Sequence, residues 1–205
     1  MTEKFTVYLV DDDPGALKAL SRLLRAKGHD VKPYSSPQVF LEEHDVAVPG
    51  GVVLDVSMPG LDGLEIQRVL TAASGYHRPV VFVTGKGDIP TSVRAMKAGA
   101  IDFLTKPVKD KDLFEAVSRA EARDAESRRL HSELESMQAK VSNLTPRERE
   151  VLTHVVAGRL NKQIAGDLGT VEKTIKVHRS RMMEKLGIRM VADLVRMAEK
   201  LNLSK

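Results

Sequence analysis

Over its first 105 or so residues the chain alternates short apolar runs with stretches of helical periodicity, and this alternation restricts the fold most. The runs are Thr6-Val7-Tyr8-Leu9-Val10, a weaker one near Val31, Val52-Val53-Leu54, Val80-Val81-Phe82-Val83 and Ile101-Asp102-Phe103-Leu104. Each has strand length and is rich in β-branched or aromatic residues. Between the first two, from Ala16 to Lys27, Leu17, Leu20, Leu23 and Leu24 fall on one side of a helix. Gly28, Gly75 and Gly99 stand where helices should stop. Strands buried on both faces and separated by helices predict an open, doubly wound, five-stranded parallel α/β sheet.

From about Asp110 the pattern becomes helical and stays so. Leu130, Leu134, Met137, Val141 and Leu144 follow a 4-3-4-3 spacing that fits either a short coiled coil or a solvated connecting helix. Four helical segments follow, near 146–157, 161–168, 172–186 and 190–201, with breaks at Gly158, Gly169 and Gly187. The expected organisation is an α/β domain over 1–120, a helical linker over 121–142 and an all-α, four-helix domain over 143–205.

In a doubly wound sheet, functional groups collect at the carboxyl ends of the strands, where the strand order reverses. The first strand here ends in Asp11-Asp12-Asp13, the third in Asp55, the fourth in Thr84 and the fifth in Lys106. If the strand order is 2-1-3-4-5, strands one and three are adjacent, and their carboxylates converge and require a cation; oxygen ligands suit Mg²⁺. A hydroxyl and an ammonium on the same rim can hold phosphoryl oxygens, so the set describes metal-assisted phosphoryl transfer. Taken singly, an aspartate after a strand is as often only a turn or cap residue. Asp13-Pro14 is a natural helix start, and Asp13 is assigned only that role. Four successive strand ends carrying such groups are much harder to explain that way.

Val10-Asp11-Asp12, the segment Asp55-Val56-Ser57-Met58-Pro59-Gly60-Leu61-Asp62-Gly63, Val83-Thr84-Gly85 and Lys106-Pro107 resemble the receiver domain of two-component response regulators. The likeness spans nearly all of residues 5–120. It implies that Asp55 takes a phosphoryl group from a phosphohistidine of a sensor histidine kinase. It further implies that Asp12, Asp55 and the Ser57 carbonyl ligate Mg²⁺, with Asp11 holding the ion through water. Thr84 and Lys106 would bind the phosphoryl oxygens, Phe103 would be the aromatic switch that turns inward as Thr84 moves, and Lys106-Pro107 would be cis. Val108 departs from the family, which often has Phe there.

Charge separates the two halves. Residues 1–120 carry a net charge of −1, as do residues 121–142, whereas residues 143–205 hold 13 basic and 7 acidic side chains, net +6. A basic piece of this kind favours a polyanionic partner. All eight Phe and Tyr lie at or before Phe114, so the basic piece cannot stack exposed bases, which favours duplex DNA over single strands. Segments 161–168 and 172–186 have helix-turn-helix proportions. On a helical wheel the second gathers Ile175, Met182 and Leu186 on one side. Lys173, Lys176, Val177, Ser180, Arg181 and Glu184 lie on the other. An apolar Val177 on a basic face suits contact with a thymine methyl, although a lone exposed valine is otherwise ordinary.

Leu144-Thr145-Pro146-Arg147-Glu148-Arg149-Glu150-Val151-Leu152, Asn161-Lys162-Gln163-Ile164-Ala165 and Thr174-Ile175-Lys176-Val177-His178 closely resemble the LuxR-type DNA-binding domain. With the receiver, the whole chain looks like a response regulator of the FixJ/NarL type. That resemblance puts segment 172–186 in the major groove. Lys176 and Val177 are then the base-edge candidates, with Lys173, Thr174 and Ser180 close behind. Lys162, Arg179 and Arg181 would hold phosphates, which position the protein without reading sequence. Glu148 would tie the first helix of the domain to its neighbours. The family usually has an apolar residue and then Ser before the reading helix; here Thr170-Val171 stands there, so Thr170 is expected to cap one residue early.

The resemblance implies a transcription regulator that is phosphorylated at Asp55 and then forms a homodimer through its fourth helix, fifth strand and fifth helix, binding promoter DNA. Its only catalysis would be its own phosphoryl transfer and dephosphorylation, and RNA polymerase is a further partner it allows. Three rivals differ in chemistry. An aspartyl-phosphate phosphohydrolase needs Asp-x-Asp in another context than Asp11-Asp12-Asp13-Pro14, and a nucleotide-binding module needs a Gly-rich loop after the first strand. A constitutive DNA binder would leave the acidic set idle. The absence of cysteine rules out disulfides and thiolate metal sites. With no apolar run of about 18 residues and no apolar signal region at the N-terminus, a cytoplasmic protein without membrane partners is expected.

Overall fold

The computed structural model describes residues 4–72, 77–85 and 88–203; Gly75, an expected helix stop, lies outside them. The chain divides into two compact units, Met1–Arg129 and Leu130–Lys205. In the first, β1 (Thr6–Val10), β2 (Asp30–Tyr34), β3 (Gly50–Asp55), β4 (Val80–Thr84) and β5 (Asp102–Thr105) form a parallel sheet ordered β2-β1-β3-β4-β5. The helices are α1 (Pro14–Ala26), α2 (Pro37–Glu43), α3 (Gly63–Ala72), α4 (Ile89–Lys97) and α5 (Asp110–Ser142), the last continuing into the second unit. Alternation along each strand feeds two cores. Tyr8, Val10, Val52, Leu54 and Phe82 face one core with Phe40 of α2, Ile66 of α3 and Ala95 of α4. Val7, Leu9, Val53, Val81 and Val83 face the other, with Leu24 of α1 and Leu113 and Val117 of α5. Both faces are covered, as strands apolar on both sides require. Pro33 is tolerated because β2 is an edge strand.

The first unit extends past residue 120 for a polar reason. Arg128 of α5 donates to the carbonyls of Val46, Ala47 and Val48 at 2.8, 2.8 and 2.6 Å. Its Nε lies 3.1 Å from the buried carboxylate of Asp124. Arg78, also buried, donates to the carbonyls of Asp45 and Val48 at 2.7 and 3.2 Å. Two guanidinium groups thus satisfy backbone carbonyls of the loop before β3 that would otherwise be costly to bury.

The second unit holds the end of α5 with α6 (Pro146–Val156), α7 (Asn161–Asp167), α8 (Glu172–Leu186) and α9 (Val191–Lys200). A capping box joins Thr145 and Glu148 at the start of α6. Gly187 ends α8 in the left-handed region, φ 70°, where other residues are strained. Ile164, Ile175, Met182, Leu186 and Leu194 are the centre of the core. Met137, Val141 and Leu144 of the heptad series pack on this same core, while Leu130 is 44% exposed. A solvated pairing seam is therefore confined to the upstream positions. α8 starts at Glu172 with Val171 at the N-cap and no side-chain cap bond. Thr170 does not cap early; its N–H donates to the Ala165 carbonyl at 2.9 Å.

Candidate functional site

Parallel pairing brings four strand ends to one rim, with Val10 beside Leu54, Asp55 beside Val83 and Thr84 beside Thr105. The residues just beyond or at those ends are Asp11, Asp55, Thr84 and Lys106. The Lys106 N–H donates to the Thr84 carbonyl at 2.8 Å, so the last two ends are joined past the sheet. Asp11 is buried; its Oδ1 accepts from the Asp13 N–H at 3.0 Å, and its Oδ2 accepts from Lys106 Nζ at 2.6 Å. Asp13 itself caps α1 through the Gly15 N–H.

Asp55 is 6% exposed; its Oδ1 accepts from the Val56 N–H at 2.9 Å and lies 3.8 Å from Lys106 Nζ. Burial pushes the Asp55 carboxyl above its ordinary range, Lys106 opposes that, and Asp11 adds to it. Such a carboxylate gains from any cation brought to it. Asp12 is exposed, and one carboxylate oxygen each from Asp11, Asp12 and Asp55 fall within 4.8 Å of one another. Three converging carboxylates can bind a hard metal ion, and the donor set fits one that prefers oxygen.

Thr84 is fully buried at the end of β4. Ser57 is exposed beyond β3. Phe103 is half-buried, its ring 6.0 Å from that of Phe82. The Lys106-Pro107 bond is cis. Gly63 was not singled out for a role by sequence reasoning, yet a Cβ there would meet the Asp55 carbonyl oxygen at 2.5 Å. Only glycine lets α3 begin this close to the end of β3; its place in the Asp55–Gly63 segment was the available signal.

In the second unit three polar ties frame the helix pair α7–α8. Arg147 donates to the Leu168 carbonyl at 2.6 Å, and Arg179 to Asn161 Oδ1 at 3.0 Å. Lys185 donates to the buried Glu148 at 2.7 Å, the expected tie from α6. Lys185 and the Thr145 N–H hold the Glu148 carboxyl below its ordinary range. Ile175, Met182 and Leu186 form the inner face of α8. Lys173, Lys176, Val177, Ser180 and Arg181 are exposed, and Lys162 is exposed on α7. Thr174 and His178 are half-buried on the flanks. Arg179 is not brought onto the exposed face: it is half-buried and turned to Asn161. Lys176 lies 3.1 Å from Glu172, one turn back. Leu160 and Val171, 68% and 64% exposed, stand at the starts of α7 and α8.

A family model described as "Response regulator receiver domain" matches residues 7–118. This chain belongs to the response regulators. A second model, "Bacterial regulatory proteins, luxR family", matches residues 142–198 of this response regulator. Nodulation protein W of Bradyrhizobium diazoefficiens is 41% identical over 201 residues, 98% of this chain and 88% of that protein. Transcriptional regulatory protein FixJ of Azorhizobium caulinodans is 40% identical over 97% of this chain and 93% of its own length. The solved structure of the response regulator StyR is similar with a TM-score of 0.80 and 44% identity, covering 96% of this chain and 99% of that one. The response regulator thus joins a receiver to a LuxR-type DNA-binding domain and is a phosphorylation-dependent transcription regulator. Among its described residues no helix is long and apolar enough to cross a membrane.

Proposed function

We propose that Asp55 is the phosphoacceptor and that its phosphorylation switches the DNA-binding domain on. The observation that carries this is the convergence on one rim of a buried Asp55, the Asp11–Asp12 pair and Lys106. Asp55 attacks the phosphorus of a phosphohistidine on a sensor histidine kinase; the P–N bond breaks, and its electron pair stays on the imidazole, which takes up a proton. Asp12, Asp55 and the Ser57 carbonyl would hold Mg²⁺, with Asp11 acting through water, and the bound ion would neutralise charge on the entering phosphoryl group. Lys106 Nζ and the Thr84 hydroxyl donate to the phosphoryl oxygens. As Thr84 moves to do so, Phe103 turns inward. The protein's own chemistry ends there, with phosphoryl gain and hydrolysis at Asp55.

The change builds a homodimer on the face of α4, β5 and α5, and two DNA-binding domains then engage promoter half-sites in the cytoplasm. We assign the receiver to 1–120, the linker to 121–142 and the DNA-binding domain to 143–205. In α8, Lys176 and Val177 address base edges, with Lys173, Thr174 and Ser180 beside them. Lys162, Arg179 and Arg181 address phosphates, Arg179 after giving up Asn161. RNA polymerase is the downstream partner. The test is dimerisation and duplex-DNA binding of wild type and Asp55→Asn with and without Mg²⁺ and a small phosphodonor. Wild type should dimerise and bind more tightly with the donor; an Asp55→Asn protein responding equally would overturn the reading.

A further inference from the structure

Helices α1, α2, α4 and α6 start on polar side chains that cap them, those of Asp13, Ser36, Asp88 and Thr145. The N-cap side chains of α7, α8 and α9 make no such bond; they are Leu160, Val171 and Met190, all apolar and exposed. An apolar residue in place of Ser, Thr or Asp at this position lowers helix stability. An exposed large side chain recovers little of that by burial. Of the three, Val171 is the one that stands at the tip of α8.

The residues on either side define what that tip can meet. Thr170, whose N–H donates to the Ala165 carbonyl at 2.9 Å, leaves the cap position to Val171. Glu172 is exposed and lies 3.1 Å from Lys176. An acidic side chain there repels a phosphate, so the uncapped turn is not suited to the backbone of a duplex. The core centred on Ile164, Ile175 and Leu194 does not include Val171. A lone exposed valine is ordinary. A valine that also displaces a cap is a local cost that the domain itself does not offset, and such costs mark functional positions.

We propose, resting on the reading of α8 as the major-groove helix, that Val171 is a second apolar base reader and packs on the methyl group of a thymine. N-terminal residues of such a helix approach base edges, and the cap side chain stands foremost among them. The thymine methyl is the apolar feature that the major groove offers. Val171 and Val177 are separated by about 9 Å along the helix axis, which spans roughly two to three base steps of about 3.4 Å. Each half-site therefore carries two methyl-dependent positions at that separation. The contact exchanges helix stability for sequence discrimination.

The test uses duplexes recovered from a randomised pool by the full chain with Mg²⁺ and a small phosphodonor. Each thymine is replaced in turn by deoxyuridine, which removes only the methyl. Wild type should lose affinity about threefold to fivefold at two positions in each half-site, roughly two to three base pairs apart. Val171→Ser should erase the effect at one position and keep it at the other, which Val177→Ala erases. Because serine supplies the missing cap, the same variant should slow amide exchange in α8. Deoxyuridine effects of wild-type size throughout in Val171→Ser would overturn the proposal, as would loss at the position that Val177→Ala erases. Faster exchange in α8 would overturn it too, by showing that Val171 packs within its own domain. A pool that yields no preferred sequence overturns the DNA-reading role of α8 together with the proposal, and so differs from a failure of Val171 alone.

Discussion

Lys106 Nζ lies 2.6 Å from Asp11 Oδ2 and 3.8 Å from Asp55 Oδ1, so its first partner on the rim is Asp11. The ammonium therefore compensates the carboxylate pair in the same region where a divalent ion would bind, and the two cations repel. Lys106→Met should raise Mg²⁺ affinity several-fold, on the order of 1 kcal/mol, while abolishing the dimerisation that follows phosphorylation. Magnesium titration by calorimetry and sedimentation with phosphodonor check both halves. Weaker Mg²⁺ binding in the variant would show that Lys106 organises the carboxylates rather than competing for them.

Glu148 joins α6 to α8 through Lys185, and its carboxyl is held below the usual range by that bond and by the Thr145 N–H. A carboxyl depressed in the folded state contributes stability above its unfolded value, and loses it as pH falls through the folded value. The DNA-binding unit should thus weaken in acid below the ordinary glutamate range. Glu148→Ala should destabilise it by about 2–3 kcal/mol at neutral pH. Amide exchange in α6 and α8 reads this unit alone. Exchange rates unaltered by the substitution would mean the tie contributes nothing.

Arg128 reaches back from α5 to the carbonyls of Val46, Ala47 and Val48. Arg128→Ala should destabilise the receiver by about 2 kcal/mol, since those acceptors and Asp124 lose a charged donor. A fragment ending at residue 130 should likewise outlast one ending at 120 in urea. Equal midpoints for the two fragments would show that the clamp is idle.

Val177 and Lys162 should separate on DNA. Val177→Ala should cost about 1 kcal/mol on the preferred sequence and leave the salt dependence unchanged. Lys162→Ala should weaken binding to all sequences alike and reduce the salt slope by about one. Binding isotherms at several salt concentrations distinguish them, and a Val177→Ala loss equal on every sequence would remove it from base reading.

The sheet was legible because strand residues such as Val7, Val53 and Val81 are apolar without alternation, and because the rim residues follow the strands directly in sequence. The inner face of α8 was equally plain, since Ile175, Met182 and Leu186 recur at helical spacing. What escaped depends on partners far apart in the chain. Nothing near Arg128 tells that its acceptors lie some 80 residues earlier. Arg179 falls beside the core stripe on a wheel, but Asn161, which holds it, belongs to another helix. Met137 and Val141 carry a heptad spacing whether they meet a second helix or, as here, their own domain. Gly63 shows why a residue without a side chain is easily passed over: its role is the room it leaves beside Asp55.

The most direct measurement is the intact mass of the protein after incubation with Mg²⁺ and a small phosphodonor, beside Asp55→Asn. Wild type should gain a single phosphoryl group and the variant none. A phosphoryl group gained equally by both proteins would place the acceptor elsewhere and contradict the role given to Asp55.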